Sequence, residues 1–236
     1  MTADRSPSLA PSLDEDSNLA LAAAAHEIKN ALGPLAMTLQ LAERQLAAGQ
    51  PVAAADLAFA RQQVRRLSDL VEDLLDQTRA NLGELAHRPR ACDLGAVVAE
   101  AVETFRRGKP VPIAVELPDA PITASVDVVR IQQVLANLLE NAVRYSPAGS
   151  SVTVRLERVD ATRARIGVRD QGPGLSAEEQ AQIFGRFVRG AASTGTSGLG
   201  LGLYLCRAIV EQHGGTIGVD STPGGGATFW VDLAAA

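Results

Sequence analysis

The chain has 236 residues, 46% of them hydrophobic but only 3% aromatic, and a formal net charge of −5. That length admits one large domain or two modest ones, and the acidic balance argues against nucleic acid as the main partner, because phosphate neutralisation needs a basic surface. No apolar run approaches the ~20 residues needed for a direct membrane span; Cys92 and Cys206 fit no metal or redox spacing, so reduced thiols in a cytoplasmic protein are the default reading.

Residues 1–16 carry Pro7, Pro11, several serines and an acidic cluster, without the basic start and apolar middle of a signal peptide. They are expected to form a disordered tail. Residues 17–81 read as helical throughout. The first helix is expected from a cap at Ser17 or Asn18 to about Ala48, with a bend at Pro34. Leu21, Ala25, Ile28, Leu32, Leu35, Leu39, Ala42 and Leu46 step alternately by four and three, a coiled-coil-like seam. His26 falls one residue off that seam, and Asn30 stacks on the same outward side. A histidine so placed meets a partner rather than filling a core. Gly49-Gln50-Pro51 makes a turn, and a second helix repeats the pattern with Leu57, Ala60, Val64, Leu67, Val71, Leu74 and Thr78. One such hairpin leaves an apolar seam on both helices, and two copies bury it as a four-helix bundle, so a homodimer is expected.

Residues 82–90, with Gly83, Pro89 and mixed charge, look like a linker. Beyond them, in 91–236, strand-like runs at 113–117, 122–126, 151–156, 164–169, 216–219 and 227–231 mix with helical patterns at 94–107, 127–145 and about 201–213. The order is not strictly strand–helix–strand. The expected class is therefore α+β, a mixed sheet covered by helices.

Three signals punctuate this second segment. Asn137 and Asn141 lie four apart on one helix face, with Arg144 and Tyr145 a turn later. Asparagine is a poor helix former, and an amide oxygen can complete a Mg²⁺ shell that is otherwise built from nucleotide phosphates. Asp170-Gln171-Gly172-Pro173-Gly174-Leu175 ends a strand; its carboxylate can accept an exocyclic amino hydrogen, and its glycines admit a planar base close to the backbone. Gly195-Thr196-Ser197-Gly198-Leu199-Gly200-Leu201-Gly202-Leu203 runs into a helix, where backbone N–H groups and the helix dipole favour phosphate. It is neither a Walker A loop nor Gly-x-Gly-x-x-Gly. Between the last two signals, Ile183-Phe184-Gly185-Arg186-Phe187-Val188-Arg189 combines apolar anchors with two arginines, and the small-residue run Gly190 to Gly198 reads as a mobile lid.

With these motifs in this order, the chain resembles the sensor histidine kinases of two-component signalling over roughly residues 17–234. His26-Glu27-Ile28-Lys29-Asn30 is similar to the family's H box, Asn137 to Tyr145 to its N box, and Asp170 to Gly174 to its G1 box. Ile183 to Phe187 resembles the F box, Gly198 to Gly202 the G2 box, and Gln212-His213-Gly214-Gly215 the turn that closes the following helix. The resemblance implies a dimerisation and histidine-phosphotransfer hairpin followed by a Bergerat-type ATP-binding α/β sandwich. It implies autophosphorylation of His26 by ATP with Glu27 as general base, then transfer to an aspartate of a response regulator receiver domain. Asn30 stands where the family often has Thr or Asn, a position linked to dephosphorylation of the regulator. Asn141 would hold Mg²⁺, Asp170 would read the adenine amino group, and Tyr145 would pack near the nucleotide. Arg144 and Arg189 would contact phosphates, with Gly172, Gly174, Phe187, Gly198, Leu199, Gly200 and Gly202 completing the nucleotide site. Asn137 occupies the position where ATPases of the gyrase and MutL type carry a catalytic glutamate. An amide cannot act as a base, so the γ-phosphoryl is kept from water. Two positions depart from the family pattern: Ala31 stands where many members have proline, and Leu199 replaces a common Thr or Ser. The short stretch ahead of the hairpin is expected to hold no sensor, which leaves an excised core or a kinase signalled through a separate sensor or adaptor protein.

Overall fold

The computed structural model describes residues 13–81, 87–108, 111–188 and 200–236. The chain divides into two compact units, with the boundary at Glu72 inside the second helix.

The first unit is a helical hairpin. Helix α1 spans Leu13–Ala47 and α2 spans Ala54–Asn81. Helix α1 therefore starts before the expected cap at Ser17 or Asn18, and takes in residues 13–16 of the expected tail. The acidic composition of residues 14–16 suits a helix start, where the backbone dipole is positive. The helix runs on through Pro34, whose carbonyl accepts a hydrogen bond from Thr38 Oγ1 at 2.9 Å. It ends at Gly49 in the left-handed conformation (φ 70°), while the Gln50 amide closes back on the Gln45 carbonyl at 2.8 Å.

The seam splits into two flanks. Ala31, Ala42, Ala60 and Leu70 are buried, with Leu35, Thr38 and Leu67 half-buried beside them. Leu32, Leu39 and Leu46 on α1 and Leu57, Val64 and Val71 on α2 stay between 46% and 65% exposed. The hairpin thus buries one flank and leaves the other as an apolar stripe on both helices.

The second unit contains a five-stranded mixed sheet. Its strands are β2 (Ile113–Glu116), β4 (Val152–Asp160), β5 (Arg163–Arg169), β6 (Thr216–Ser221) and β7 (Ala227–Ala234), in the order β2-β4-β5-β7-β6. Only β2 and β4 pair in parallel. A separate two-stranded ladder joins β1 (Arg90–Asp93) to β3 (Thr123–Val126). Val152, Val154 and Leu156, then Ala164, Ile166 and Val168, then Phe229, Val231 and Leu233 are buried, the period of two expected when one sheet face is covered.

The cover consists of α3 (Leu94–Gly108), α4 (Val128–Tyr145) and α6 (Gly202–Gln212); a short α5 spans Ala177–Gln182. Helix α4 is the middle of the layer, packed against both α3 and α6. It buries Ile131, Val134, Leu135, Leu138, Leu139 and Ala142, each large aliphatic contributing about 1.5–3 kcal/mol. Every other face of α4 is then fixed by this one, including the face that carries Asn137 and Asn141. On the far side of the sheet, the buried Asp232 carboxylate accepts two hydrogen bonds from Arg165, at 2.6 and 2.8 Å, and the guanidinium lies 4.1 Å over Trp230. Among the described residues, no helix is long and apolar enough to cross a membrane.

Candidate functional site

The start of α4 is set by Asp127. Its Oδ1 accepts from the Arg130 amide at 3.3 Å, a side-chain cap, and its Oδ2 accepts from the Arg88 amide at 2.9 Å. Amide hydrogen bonds hold the Asp127 carboxyl below the usual carboxylate range, although burial opposes them as the largest single influence. From that cap the helix delivers Asn137, Asn141, Arg144 and Tyr145 along about 12 Å, at 1.5 Å per residue. Asn137, Asn141 and Tyr145 are half-buried, and Arg144 is exposed.

The far end of this stretch is closed by the loop after β5. Asp170 is 4% exposed, and its Oδ1 accepts two backbone hydrogen bonds, from Gly172 at 2.8 Å and Ala227 at 3.1 Å. Both fall on one oxygen, so Oδ2 takes no part in them. Burial pushes the Asp170 carboxyl up, against the two amides that favour its charged form. Gly172 sits where a Cβ would lie 3.0 Å from both Asp170 Oδ1 and the Tyr145 carbonyl oxygen. The loop is thereby pressed onto the last turn of α4, and the Gln171 amide donates to Ser146 Oγ at 3.2 Å.

Gly174 and Gly226 make this loop possible. Both have positive φ, 72° and 76°, and an added Cβ would stand 2.0 Å from the Thr222 carbonyl oxygen or 2.3 Å from that of Asp170. Gly174→Ala is expected to lower domain stability by about 2–5 kcal/mol, the sum of a forbidden φ and a backbone clash. A thermal unfolding midpoint equal to wild type would contradict that.

The near end of the α4 stretch faces α6. A Cβ on Gly202 would lie 3.4 Å from Asn137 Oδ1. Unlike α4 and α5, which are capped by Asp127 and Ser176, α6 begins at Leu201 with no side-chain cap. A helix N-terminus of this kind can receive an anion on its backbone amides and its dipole. Gly200 (φ 69°) packs tightly on the backbone of Phe187 and Val188, and Phe187 itself holds a left-handed φ of 58°. Arg186 donates to Tyr204 on α6 at 2.9 Å and lies 4.9 Å over its ring, tying this segment to the same helix.

The structure therefore brings Asn137, Asn141, Arg144, Tyr145, Asp170, Gly172, Gly174, Phe187, Gly200 and Gly202 into one unit. Arg189, Gly198, Leu199 and the expected lid lie outside the described residues. His26, Glu27 and Asn30 are on α1 of the hairpin, where Asn30 is exposed. Gly226 and Ala227 were not singled out from the sequence; the Gly224-Gly225-Gly226 run was the available signal. Asp127 and Arg88 were missed as well, because their roles depend on groups far away in the chain.

Residues 126–236 match the family model "Histidine kinase-, DNA gyrase B-, and HSP90-like ATPase", and residues 17–83 match "His Kinase A (phospho-acceptor) domain". The solved mycobacterial sensor histidine kinase MprB is 30% identical, with 62% of this chain covering 98% of that one at a TM-score of 0.57. The chain belongs to the sensor histidine kinases of two-component systems. As a histidine kinase core it is also similar to AdeS of Acinetobacter baumannii, at 27% identity and a TM-score of 0.66 over 89% of this chain and 97% of that one. Sensor protein KdpD of Escherichia coli is 35% identical over 216 residues, which are 92% of this chain and 24% of KdpD. The kinase/phosphatase MprB of Mycobacterium bovis is 34% identical over 86% of the chain and 41% of its own length. This histidine kinase core thus spans less than half the length of these two curated relatives.

Proposed function

We propose that the chain is the catalytic core of an ATP-dependent protein-histidine kinase that phosphorylates His26 and passes the phosphoryl group to a receiver-domain aspartate. The observation that carries this reading is the α4 face, bounded by a buried carboxylate at one end and an uncapped helix N-terminus at the other. A nucleotide has that same polarity, base at one end and phosphates at the other. Asp170 accepts from the adenine amino group, Tyr145 packs near the base, and the first amides of α6 with Arg144 and Arg189 meet the phosphates. Phe187, Gly172, Gly174, Gly198, Leu199, Gly200 and Gly202 shape the walls.

The donor set also fits a nucleotide-held Mg²⁺. Asn141 would hold the ion together with the nucleotide's phosphates, and among the described residues no group of three His, Cys, Asp or Glu side chains forms a metal site of its own. Bound there, Mg²⁺ neutralises charge on the phosphates. Asn137 supplies no base to activate water beside them. On the hairpin, the lone pair of a neutral His26 ring nitrogen attacks the γ-phosphorus as the bond to the bridging oxygen of ADP breaks, and Glu27 takes the ring proton.

Residues 17–81 form the dimerisation and phosphotransfer hairpin, 82–90 the linker and 91–236 the ATP-binding domain. The bare stripe of Leu32, Leu39, Leu46, Leu57, Val64 and Val71 is the surface a second copy covers in a cytoplasmic homodimer. The similar MprB is named a kinase/phosphatase, and the exposed Asn30 on α1 would orient water for the same reverse function here.

Incubation with γ-³²P-ATP and Mg²⁺ tests the reading. The expected label is acid-labile and alkali-stable, and it moves to an added receiver domain. Asn30→Ala is expected to slow the later loss of label from that receiver. An acid-stable label, or none despite measurable ATP binding, would overturn the kinase assignment in favour of a nucleotide-gated scaffold.

A further inference from the structure

Three elements of the ATP-binding unit meet at one imidazole. His213, at the end of α6, approaches the Ile209 carbonyl through Nδ1 at 2.7 Å, and its Nε2 accepts the Asp127 amide hydrogen at 2.9 Å. The second bond fixes the tautomer: Nε2 is an acceptor, so Nδ1 carries the proton and donates to Ile209. Asp127 in turn caps α4 and takes the Arg88 amide on its other oxygen. His87 closes the cluster, its ring edge-on to His213 with centroids 4.4 Å apart. A neutral histidine thus joins the end of α6 to the start of α4. These are the two helices whose facing residues, Gly202 and Asn137, frame the phosphate end of the site.

We propose that His213 is a positioning residue for the nucleotide site, and that a proton bound to its ring weakens nucleotide binding by unfastening α4 from α6. This rests on the nucleotide reading of the α4 face. A protonated ring has a donor at both nitrogens. Its Nε2–H would then face the Asp127 N–H, two donors with no acceptor between them.

The surroundings decide the direction of the response. Burial pushes the His213 ring below its ordinary value of 6.5, and His87 adds to that; the Ile209 carbonyl and the Asp127 carboxylate oppose it. Of the remaining charges, Arg88 and Arg130 each donate a backbone amide to Asp127, and Glu211 on α6 is engaged by Arg207 at 2.7 Å. A histidine lowered on folding is protonated first in the unfolded chain. Stability is therefore intact above about pH 6.5 and is lost as pH falls through that value towards the folded one.

The test uses the full chain and measures Mg-ATP affinity from about pH 7.5 to about pH 5.5 in wild type, His213→Gln and His87→Phe. Glutamine places an amide oxygen where Nε2 stands and accepts from Asp127 without titrating. The nucleotide's own phosphate titration is common to all three proteins and cancels in the comparison. Wild type is expected to lose about two- to tenfold more affinity on acidification than His213→Gln, the worth of one hydrogen bond. His87→Phe, which keeps a ring against His213 but not the imidazole nitrogens, is expected to follow wild type. A second readout needs no nucleotide: the Asp127 amide resonance should shift with pH in wild type and stay still in His213→Gln. An unchanged pH response in His213→Gln, or a flat one in His87→Phe, overturns the proposal. Failure of wild type to bind nucleotide at any pH overturns the reading of the site as well, and the amide titration alone then reports whether the helix fastening exists.

Discussion

His26→Gln is expected to abolish incorporation of γ-phosphate while leaving ATP binding intact. Glutamine keeps a polar side chain of similar reach but offers no nitrogen lone pair basic enough to attack phosphorus, because its amide nitrogen is delocalised. Loss of the nucleophile removes the covalent step outright, so the label should fall on the order of 10³-fold or more, to background. Nucleotide affinity should not change, because every residue of the α4 face is in the other unit. Residual labelling of His26→Gln with the same acid lability would place the phosphoacceptor elsewhere, and His87 and His213 are the only other histidines in the chain. Both belong to the cluster at the start of α4 and are held by ring contacts, which makes them poor alternatives.

The second large effect is expected at Asp170. Asp170→Asn keeps an oxygen for the Gly172 and Ala227 amides and turns the second carboxylate oxygen into an NH₂ group. A donor then meets the adenine amino donor. The loss of one charge-assisted hydrogen bond, about 1.5–3 kcal/mol, weakens ATP binding by roughly 10- to 100-fold. Unfolding should hardly change, since the loop's hydrogen bonds survive and a buried charge is removed. Asp170→Ala behaves differently. It strips both amides of their acceptor in a buried site, at about 1–3 kcal/mol each, so stability and binding should fall together. Isothermal calorimetry set beside thermal unfolding separates the two variants. Equal ATP affinity in Asp170→Asn and wild type would remove Asp170 from base recognition.

What could be read from the sequence follows the range of the interaction responsible. Strand periodicity located six of the seven strands among the described residues, because alternation is set by nearest neighbours on one sheet face. The missed strand, Arg90–Asp93, shows no alternation, and its partners lie at 123–126. The extent of α4 was legible in the helical pattern at 127–145, though not the cap role of Asp127, and the start of α1 was not. Serine and asparagine at 17 and 18 offered a plausible cap, yet the helix began at Leu13. The order of motifs singled out the residues that gather along the α4 face, since each is a local turn or helix repeat. The lock at His213 was noticed only as a closing turn. Its partner Asp127 is 86 residues earlier, and no local pattern encodes that meeting. The split of the seam was hidden for a related reason: a heptad pattern marks which positions are apolar, but not which flank the hairpin covers itself.

The pairing of Asp170 with Ala227 also governs when this site comes into being. Fifty-seven residues separate them, and the amide of Ala227 reaches the carboxylate only once β7 has added to β5 beyond the hairpin that β4 and β5 form on their own. Contacts of that span form late, after the loop-closure entropy of the intervening chain has been overcome. During synthesis, α1 and α2 leave the ribosome with His26, the proposed phosphoacceptor, well before Asp170 is held by β7. On the proposed function, the nascent chain is a substrate before it is a kinase, and it gains its adenine acceptor only once β7 is laid down.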